Sequence, residues 1–276
     1  MDAASRAAMV AARASLQEQT GGARSRNRGE AMLVLADELF AVAHLLDGQP
    51  TLRRALSDAS VRPEDRAGLA RRLLGAQVQP GTLELVETVA RQRWSRPLDL
   101  VEATETLATE AALDAADARG ELDGVEDELF RFGRIIAGDA DLARILGNPA
   151  APREGKAALL DRLLAGKVSP VTERLVRNHL TSSHVHNPES GMERLSVAAA
   201  RRRGRSVAHV TSAVPLTAAQ EQRLAASLER MYGRPMGLQV QVDPELLGGL
   251  VIRVDDEVID GSIAHRLEAA GRRLAG

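Results

Sequence analysis

The sequence Asp37-Glu38-Leu39-Phe40 recurs 90 residues later as Asp127-Glu128-Leu129-Phe130. The same offset aligns residues 37–86 with residues 127–176 without a gap, and 19 of these 50 positions are identical. A composition rich in Ala, Leu and Arg would not by itself bring Phe, Pro and Gly into register. The chain therefore contains an internal duplication.

Each copy has the residue spacing of amphipathic helices. In the second copy, four apolar residues recur at intervals of four, three and four: Val125, Leu129, Phe132 and Ile136. This spacing places them on one helix face. Ser169-Pro170 predicts an N-cap followed by proline at the first helical position. Residues 98–118 contain almost no helix breaker, so they predict one helix that closes the first bundle and opens the second.

The pattern changes after Arg205. Apolar and polar residues alternate near 207–212, 238–242, 250–254 and 257–259, which predicts short strands. Thr217 and Gln220 have the spacing of a capping box, and a last helix is expected from Ser262. The predicted fold class is α+β and mostly helical, with two tandem helical bundles before a small α/β domain. The expected domains are 1–100, 101–204 and 205–276.

Composition excludes several classes of site. The chain has no cysteine, which excludes disulfides and thiolate chemistry, and its net charge of -2 gives no electrostatic reason to bind nucleic acid. No apolar run approaches the roughly 18 residues of a membrane span. Aromatic residues make up only 2% of the chain, so the core must be aliphatic, which suits packing between helices.

The C-terminal region carries a recognisable motif. It reads Val242-Asp243-Pro244-Glu245-Leu246-Leu247-Gly248-Gly249-Leu250, followed by Asp256-Glu257-Val258-Ile259-Asp260-Gly261-Ser262-Ile263. This motif resembles the signature of the delta (OSCP) family of F-type ATP synthase. Residues 104–201 resemble the six-helix bundle of that family, and residues 3–100 resemble a further copy of it, as in long actinobacterial forms.

The resemblance implies a non-catalytic stator subunit without cofactors. Such a subunit links the α3β3 catalytic head to the b subunits within the αβγεbc complex. The expected partners are the N-termini of the α subunits and the b subunits, with no nucleic acid and no direct insertion into the membrane. The expected location is peripheral, on the cytoplasmic face of the cell membrane.

The resemblance also implies two sets of site residues. An α-subunit helix is expected to bind between the first and fifth helices of the second bundle, at Ala108, Ala112, Ala115, Leu175, Val176 and His179. The alternative for Leu175 and Val176 is a place in the core. The signature positions of the C-terminal domain are Asp243, Pro244, Gly248, Gly249, Asp260, Gly261 and Ser262.

Other motifs favour structural roles. The stretch Leu247–Leu250 lacks the lysine and the following helix of a phosphate loop. His179, His184 and His186 have no cysteine or well-spaced acid to complete a zinc site. The basic run from Arg201 to Arg205 has no interleaved aromatics, as expected of a solvated helix end. A general helical adaptor and a nucleic-acid-binding regulator remain as alternatives, which recovery of α, β and b subunits from membranes would distinguish.

Overall fold

The computed structural model describes residues 2–20, 26–202, 206–232, 236–244, 246–254 and 257–261. The described helices of the first half are α1 (Ala3–Thr20), α2 (Arg26–Gly48), α3 (Pro50–Ser57), α4 (Pro63–Leu74), α5 (Pro80–Arg91) and α6 (Pro97–Arg119). They are followed by α7 (Leu122–Gly138), α8 (Ala140–Gly147), α9 (Arg153–Leu164), α10 (Pro170–Leu180) and α11 (Pro188–Arg202). The remaining described elements are β1 (Ser206–Ser212), α12 (Ala218–Tyr232), β2 (Met236–Val242), β3 (Leu250–Val254) and β4 (Glu257–Asp260).

The chain forms two compact units, residues 1–196 and 197–276. The mostly helical α+β fold class is confirmed. Both sequence copies lie in the first unit, so a division at residue 101 stays a prediction. The second unit begins at Val197, within α11, whereas sequence analysis placed this boundary at 205.

The duplication has a counterpart in the side-chain contacts. The Glu38 carboxylate of α2 accepts hydrogen bonds from the backbone N of Gln79 at 3.0 and 3.1 Å and from a threonine hydroxyl in α5. Ninety residues on, the Glu128 carboxylate of α7 accepts hydrogen bonds from the backbone N of Ser169 at 3.0 Å and from a threonine hydroxyl in α10. In each copy a carboxylate therefore satisfies donors where a helix begins, which stabilises that helix terminus.

Local signals explain where the helices begin and end. Proline is the first residue of six of the described helices: Pro50, Pro63, Pro80, Pro97, Pro170 and Pro188. This position suits proline because the first helical N–H has no partner within the helix. The predicted cap at Ser169 is confirmed, since its side chain accepts from the N of Thr172 at 3.2 Å. Gly120 ends α6 with φ of 71°, a left-handed conformation that favours glycine.

Helix α6 lies at the centre of the first unit. It packs against α1, α2, α3 and α5 of the first copy and against α7 and α10 of the second. The prediction of one continuous helix over residues 98–118 is confirmed by α6, whereas its place between two separate bundles stays a prediction. Its fully buried residues are mostly small or aliphatic: Val101, Ala103, Leu107, Ala108, Ala111, Ala112 and Ala115.

The second unit contains a four-stranded sheet in the order β2-β1-β3-β4. Strands β1 and β2 are parallel and connected by α12, whereas β1–β3 and β3–β4 are antiparallel. One face of the sheet and one side of α12 enclose a small core: Ala208, Val210, Leu228, Ile252 and Val254. The predicted capping box is confirmed by the bond from the N of Thr217 to Gln220 Oε1 at 2.8 Å. The expected turn at Asp255-Asp256 and the last helix from Ser262 lie outside the described residues.

Candidate partner-binding site

The three alanines predicted to line a docking groove are buried. Ala108, Ala112 and Ala115 are all 0% exposed. Helix α2 of the first copy packs along α6, and the two backbones approach closely at one end. A Cβ placed on Gly29 of α2 would lie 3.4 Å from the Ala115 carbonyl oxygen. In this structure, therefore, α2 covers at least part of the face of α6 that sequence analysis assigned to a partner helix.

The predicted residues on α10 also face the interior. Leu175 and Val176 are 0% exposed, so they occupy the core positions that sequence analysis gave as the alternative. His179 is partly buried, and its Nε2 atom is buried without a hydrogen-bond partner in the structure. Burial lowers the pKa of His179 to about 4. An α-subunit helix could reach these six residues only if the helices that bury them moved away, and their role in binding stays a prediction.

Polar contacts hold α2 against the second copy. The Nε atom of Arg174 on α10 donates to Asp37 of α2 at 3.0 and 3.2 Å. Near the C-terminal end of α2, Asp47 accepts a hydrogen bond from the backbone N of Ser183 at 3.1 Å and from its hydroxyl at 2.7 Å. Helix α2 thus contacts α6 along its length and reaches α10 and the segment that follows it.

A polar cluster lies beside this contact, on Glu105 of α6. Its carboxylate accepts a hydrogen bond from Ser182 Oγ at 2.6 Å and lies 3.0 Å from His184 Nε2. The hydrogen bond to Glu105 raises the pKa of His184, so this pair is strongest when the imidazole is protonated. Among the described residues, no group of three or more His, Asp or Glu side chains is placed to hold a metal ion.

The C-terminal signature forms the connection between β2 and β3. The N of Asp243 donates to Ser212 O at 2.8 Å, which continues the pairing of the strands past β2. Gly248 and Gly249 then adopt φ values of 113° and 87°, a backbone conformation that is strained for residues other than glycine. These contacts give this part of the signature a structural role in turning the chain.

The remaining signature residues lie around the same connection or beyond it. Pro244 is exposed in the loop after β2. Asp260 ends β4 opposite Val251, and the N of Gly261 donates to Leu250 O at 2.9 Å. Ser262 lies outside the described residues.

A basic cavity of about 530 Å³, which the sequence pattern does not predict, lies beside α2. Three arginines contribute to its lining: Arg153, Arg174 and Arg177. A signal for it was present in the repeat, because Arg174 and Arg177 align with Glu84 and Glu87 of the first copy. A reversal of charge at aligned positions suggests a difference that the shared fold does not require.

The comparison with known proteins decides the family. Residues 108–274, more than half of the chain, match the family described as ATP synthase delta (OSCP) subunit. The chain belongs to this family. A delta subunit of Streptomyces griseus is 48% identical to it, with all of both chains covered. A delta subunit of Streptomyces coelicolor is 51% identical over 275 residues, which span all of this chain and 98% of that one.

The delta-family relatives extend beyond the region that the family match covers. Because the alignments with the two Streptomyces proteins run along the entire chain, they include the first copy. The resemblance to the long actinobacterial form is therefore confirmed. A chain in a solved structure of the Toxoplasma gondii mitochondrial ATP synthase hexamer is 20% identical, with a TM-score of 0.39, over 61% of this chain and 95% of that one.

Within the described residues, no helix is long and apolar enough to cross a membrane.

Proposed function

We propose that the chain is a non-catalytic stator subunit of F-type ATP synthase. In this role it links the α3β3 catalytic head to the b subunits, and so to the membrane sector, during proton-driven ATP synthesis. It works at the cytoplasmic face of the cell membrane as a peripheral part of the complex. The observation that carries this proposal is the full-length similarity to proteins named ATP synthase subunit delta.

The division into two compact units supports a linking role, because two units can offer separate surfaces to two partners. We assign the N-termini of the α subunits to the first unit, residues 1–196, called the helical unit below. Grooves between its helices can accept an amphipathic helix. We assign the b subunits to the second unit, residues 197–276, called the C-terminal unit below. If the α-subunit helix uses Ala108, Ala112 and Ala115, it has to displace the neighbouring helices that bury them, among them α2 at Ala115.

The proposal includes the absence of catalysis and of a bound nucleotide. The Gly248-Gly249 connection leads into strand β3 rather than into a helix, so it lacks the helix N-terminus that holds phosphate in nucleotide-binding loops. Calorimetric titration of the purified chain with ATP should therefore give no saturable heat at micromolar concentrations. Micromolar binding of ATP would contradict a purely structural role.

Co-purification from membranes tests the role in the complex. An affinity-tagged chain expressed in its own host should recover the α, β and b subunits in fixed proportion. The variant Gly249→Val should lose the b subunits, because it strains the β2–β3 connection. Gly124→Ala is the matched control, since a Cβ at Gly124 meets nothing within 4 Å. Recovery of the tagged chain from membranes without α, β and b would refute the stator role.

A further inference from the structure

The basic cavity lies within the helical unit, beside α2, α9 and α10. Its volume of about 530 Å³ is in the range of about 300–1,000 Å³ of ligand-binding sites. Four of its lining residues recur along one face of α10 and its C-cap, at spacings of three, one and three: Arg174, Arg177, Asn178 and the C-cap residue Thr181. This spacing directs all four side chains to the same side of the helix. Arg153, the first residue of α9, adds a third guanidinium.

The three guanidinium groups are unequally paired with acids. Arg174 is bonded to Asp37 of α2, and the Nε atom of Arg177 lies 3.3 Å from Asp161 Oδ1. Arg153 contacts His44 Nδ1 through Nη2, and no carboxylate among the described residues forms an ion pair with it. The Arg174 and Arg177 side chains remain 37% and 50% exposed, so both can be reached from solvent. The cavity therefore keeps unused capacity to bind an anion.

The first copy shows that the bundle does not require arginine at these positions. Arg174 and Arg177 align with Glu84 and Glu87. In the second copy, Asp161 of α9 pairs with Arg177 of α10. At the aligned positions of the first copy, the basic residue is on α4 and the acidic residue on α5: Arg71 Nη2 lies 2.7 Å from Glu87 Oε2. Because the same helix pair accepts either orientation of charge, the fold leaves the sign of this face free. Ion pairs with Asp37 and Asp161 account for Arg174 and Arg177, whereas Arg153 adds a positive charge that no ion pair among the described residues explains.

We propose that this cavity binds the carboxylate side chains of an acidic peptide segment of a neighbouring subunit, which rests on the proposed function. Planar guanidinium groups donate paired, directional hydrogen bonds to carboxylates, and Arg153 and Arg177 have N–H donors to offer. The Asp37–Arg174 pair already shows this chemistry within the chain, since a carboxylate on one helix binds an arginine of the cavity on another.

The lining favours a peptide over a polyphosphate. Asp37 and Glu173 also border the cavity, and their carboxylates repel a compact group with several negative charges. A peptide instead spaces single carboxylates along its backbone. It can place them against Arg153 and Arg177 and direct a basic or neutral residue toward Glu173. The occupant is therefore expected to be acidic without being a run of consecutive acids.

Rebinding to the complex tests the cavity with the protein as it exists. Membranes bearing ATP synthase are stripped of their own delta subunit, and binding of the purified full chain is titrated at low and high salt. Arg153→Glu and the milder Arg177→Gln should each weaken binding, the reversal by about tenfold at low salt. The effect should shrink as salt screens the charges. Urea unfolding of each variant verifies that the helical unit is intact.

Arg162→Glu supplies the matched control on the same helix. Arg162 is exposed and lies nine residues after Arg153, about half a turn away around α9. This variant should bind within twofold of wild type. Equal weakening by Arg162→Glu, or full-strength binding by both cavity variants while folded, would overturn the cavity proposal and leave the stator role standing. Failure of the wild-type chain to bind stripped membranes would overturn the stator role itself.

Discussion

Arg66 of α4 offers a test of how a buried charge supports the helical unit. It is 2% exposed, and its guanidinium donates five hydrogen bonds to backbone carbonyls. Three of these carbonyls lie at the end of α5 and just beyond it: Ala90 at 2.8 Å, Arg91 at 2.8 Å and Gln92 at 3.0 Å. The other two, those of Asp58 and Val61, lie in the α3–α4 connection. Arg66 therefore joins two chain segments through their backbone carbonyls, of which that of Asp58 also accepts a hydrogen bond from the N of Val61 at 3.2 Å.

Replacing Arg66 with Met keeps the aliphatic part of the side chain and removes all five donors. Each lost hydrogen bond lowers the free energy of unfolding by about 1 kcal/mol. The loss is larger for the bond to the Ala90 carbonyl, because that bond is buried and its acceptor is left without a donor. Some of this loss is offset, because a thioether is cheaper to desolvate than a guanidinium. We expect the free energy of unfolding to fall by about 3–5 kcal/mol.

The second copy provides the control at the aligned position. Lys156 is 4% exposed, and its ammonium has no hydrogen-bond or ion-pair partner among the described residues. Burial lowers the pKa of Lys156. At neutral pH an unfolded lysine is fully protonated, so this lowered pKa means that protonation opposes folding. Lys156→Met should accordingly be neutral or stabilising.

Urea unfolding of the full chain at pH 7, followed by helical circular dichroism, measures both variants. We expect the midpoint of Arg66→Met to fall well below that of wild type and the midpoint of Lys156→Met to stay equal or rise. A loss of less than about 1 kcal/mol in Arg66→Met, or an equal loss in both variants, would show that the bonds to carbonyls contribute little.

Three further predictions concern other parts of the chain. Gly248→Val or Gly249→Val should destabilise the C-terminal unit by about 1–3 kcal/mol because both glycines have positive φ, while hydrogen exchange of the helical unit stays unchanged. Ala112→Trp should destabilise the helical unit by several kcal/mol, since its site is fully buried; a wild-type melting curve would show that the groove is open. The pKa of His179 is about 4 in the folded chain and about 6.5 in the unfolded chain. Because the unfolded chain therefore binds the proton first, the free energy of unfolding should fall progressively as the pH drops from 6.5 toward 4. His179→Gln should flatten that loss in urea titrations, and the exposed His186→Gln should not.

Much of the fold could be predicted because its signals are local. Each signal involves residues only a few positions apart. Examples are the prolines that begin six described helices, the cap at Ser169 and the alternation of apolar and polar residues in the four strands. The duplication added long-range information, since Glu38 and Glu128 make the same contacts in both copies.

The sequence by itself determined that α6 has a face of small residues and that α10 has an apolar side. Only the tertiary structure decided what covers them. A stripe such as Ala108, Ala112 and Ala115 indicates close helix approach, but any helix with a compatible surface can make that approach. Here α2 packs along α6 and bonds through Asp37 to Arg174, 137 residues away in the chain. Local periodicity carries no information on such pairings, because they depend on how all the helices share one core.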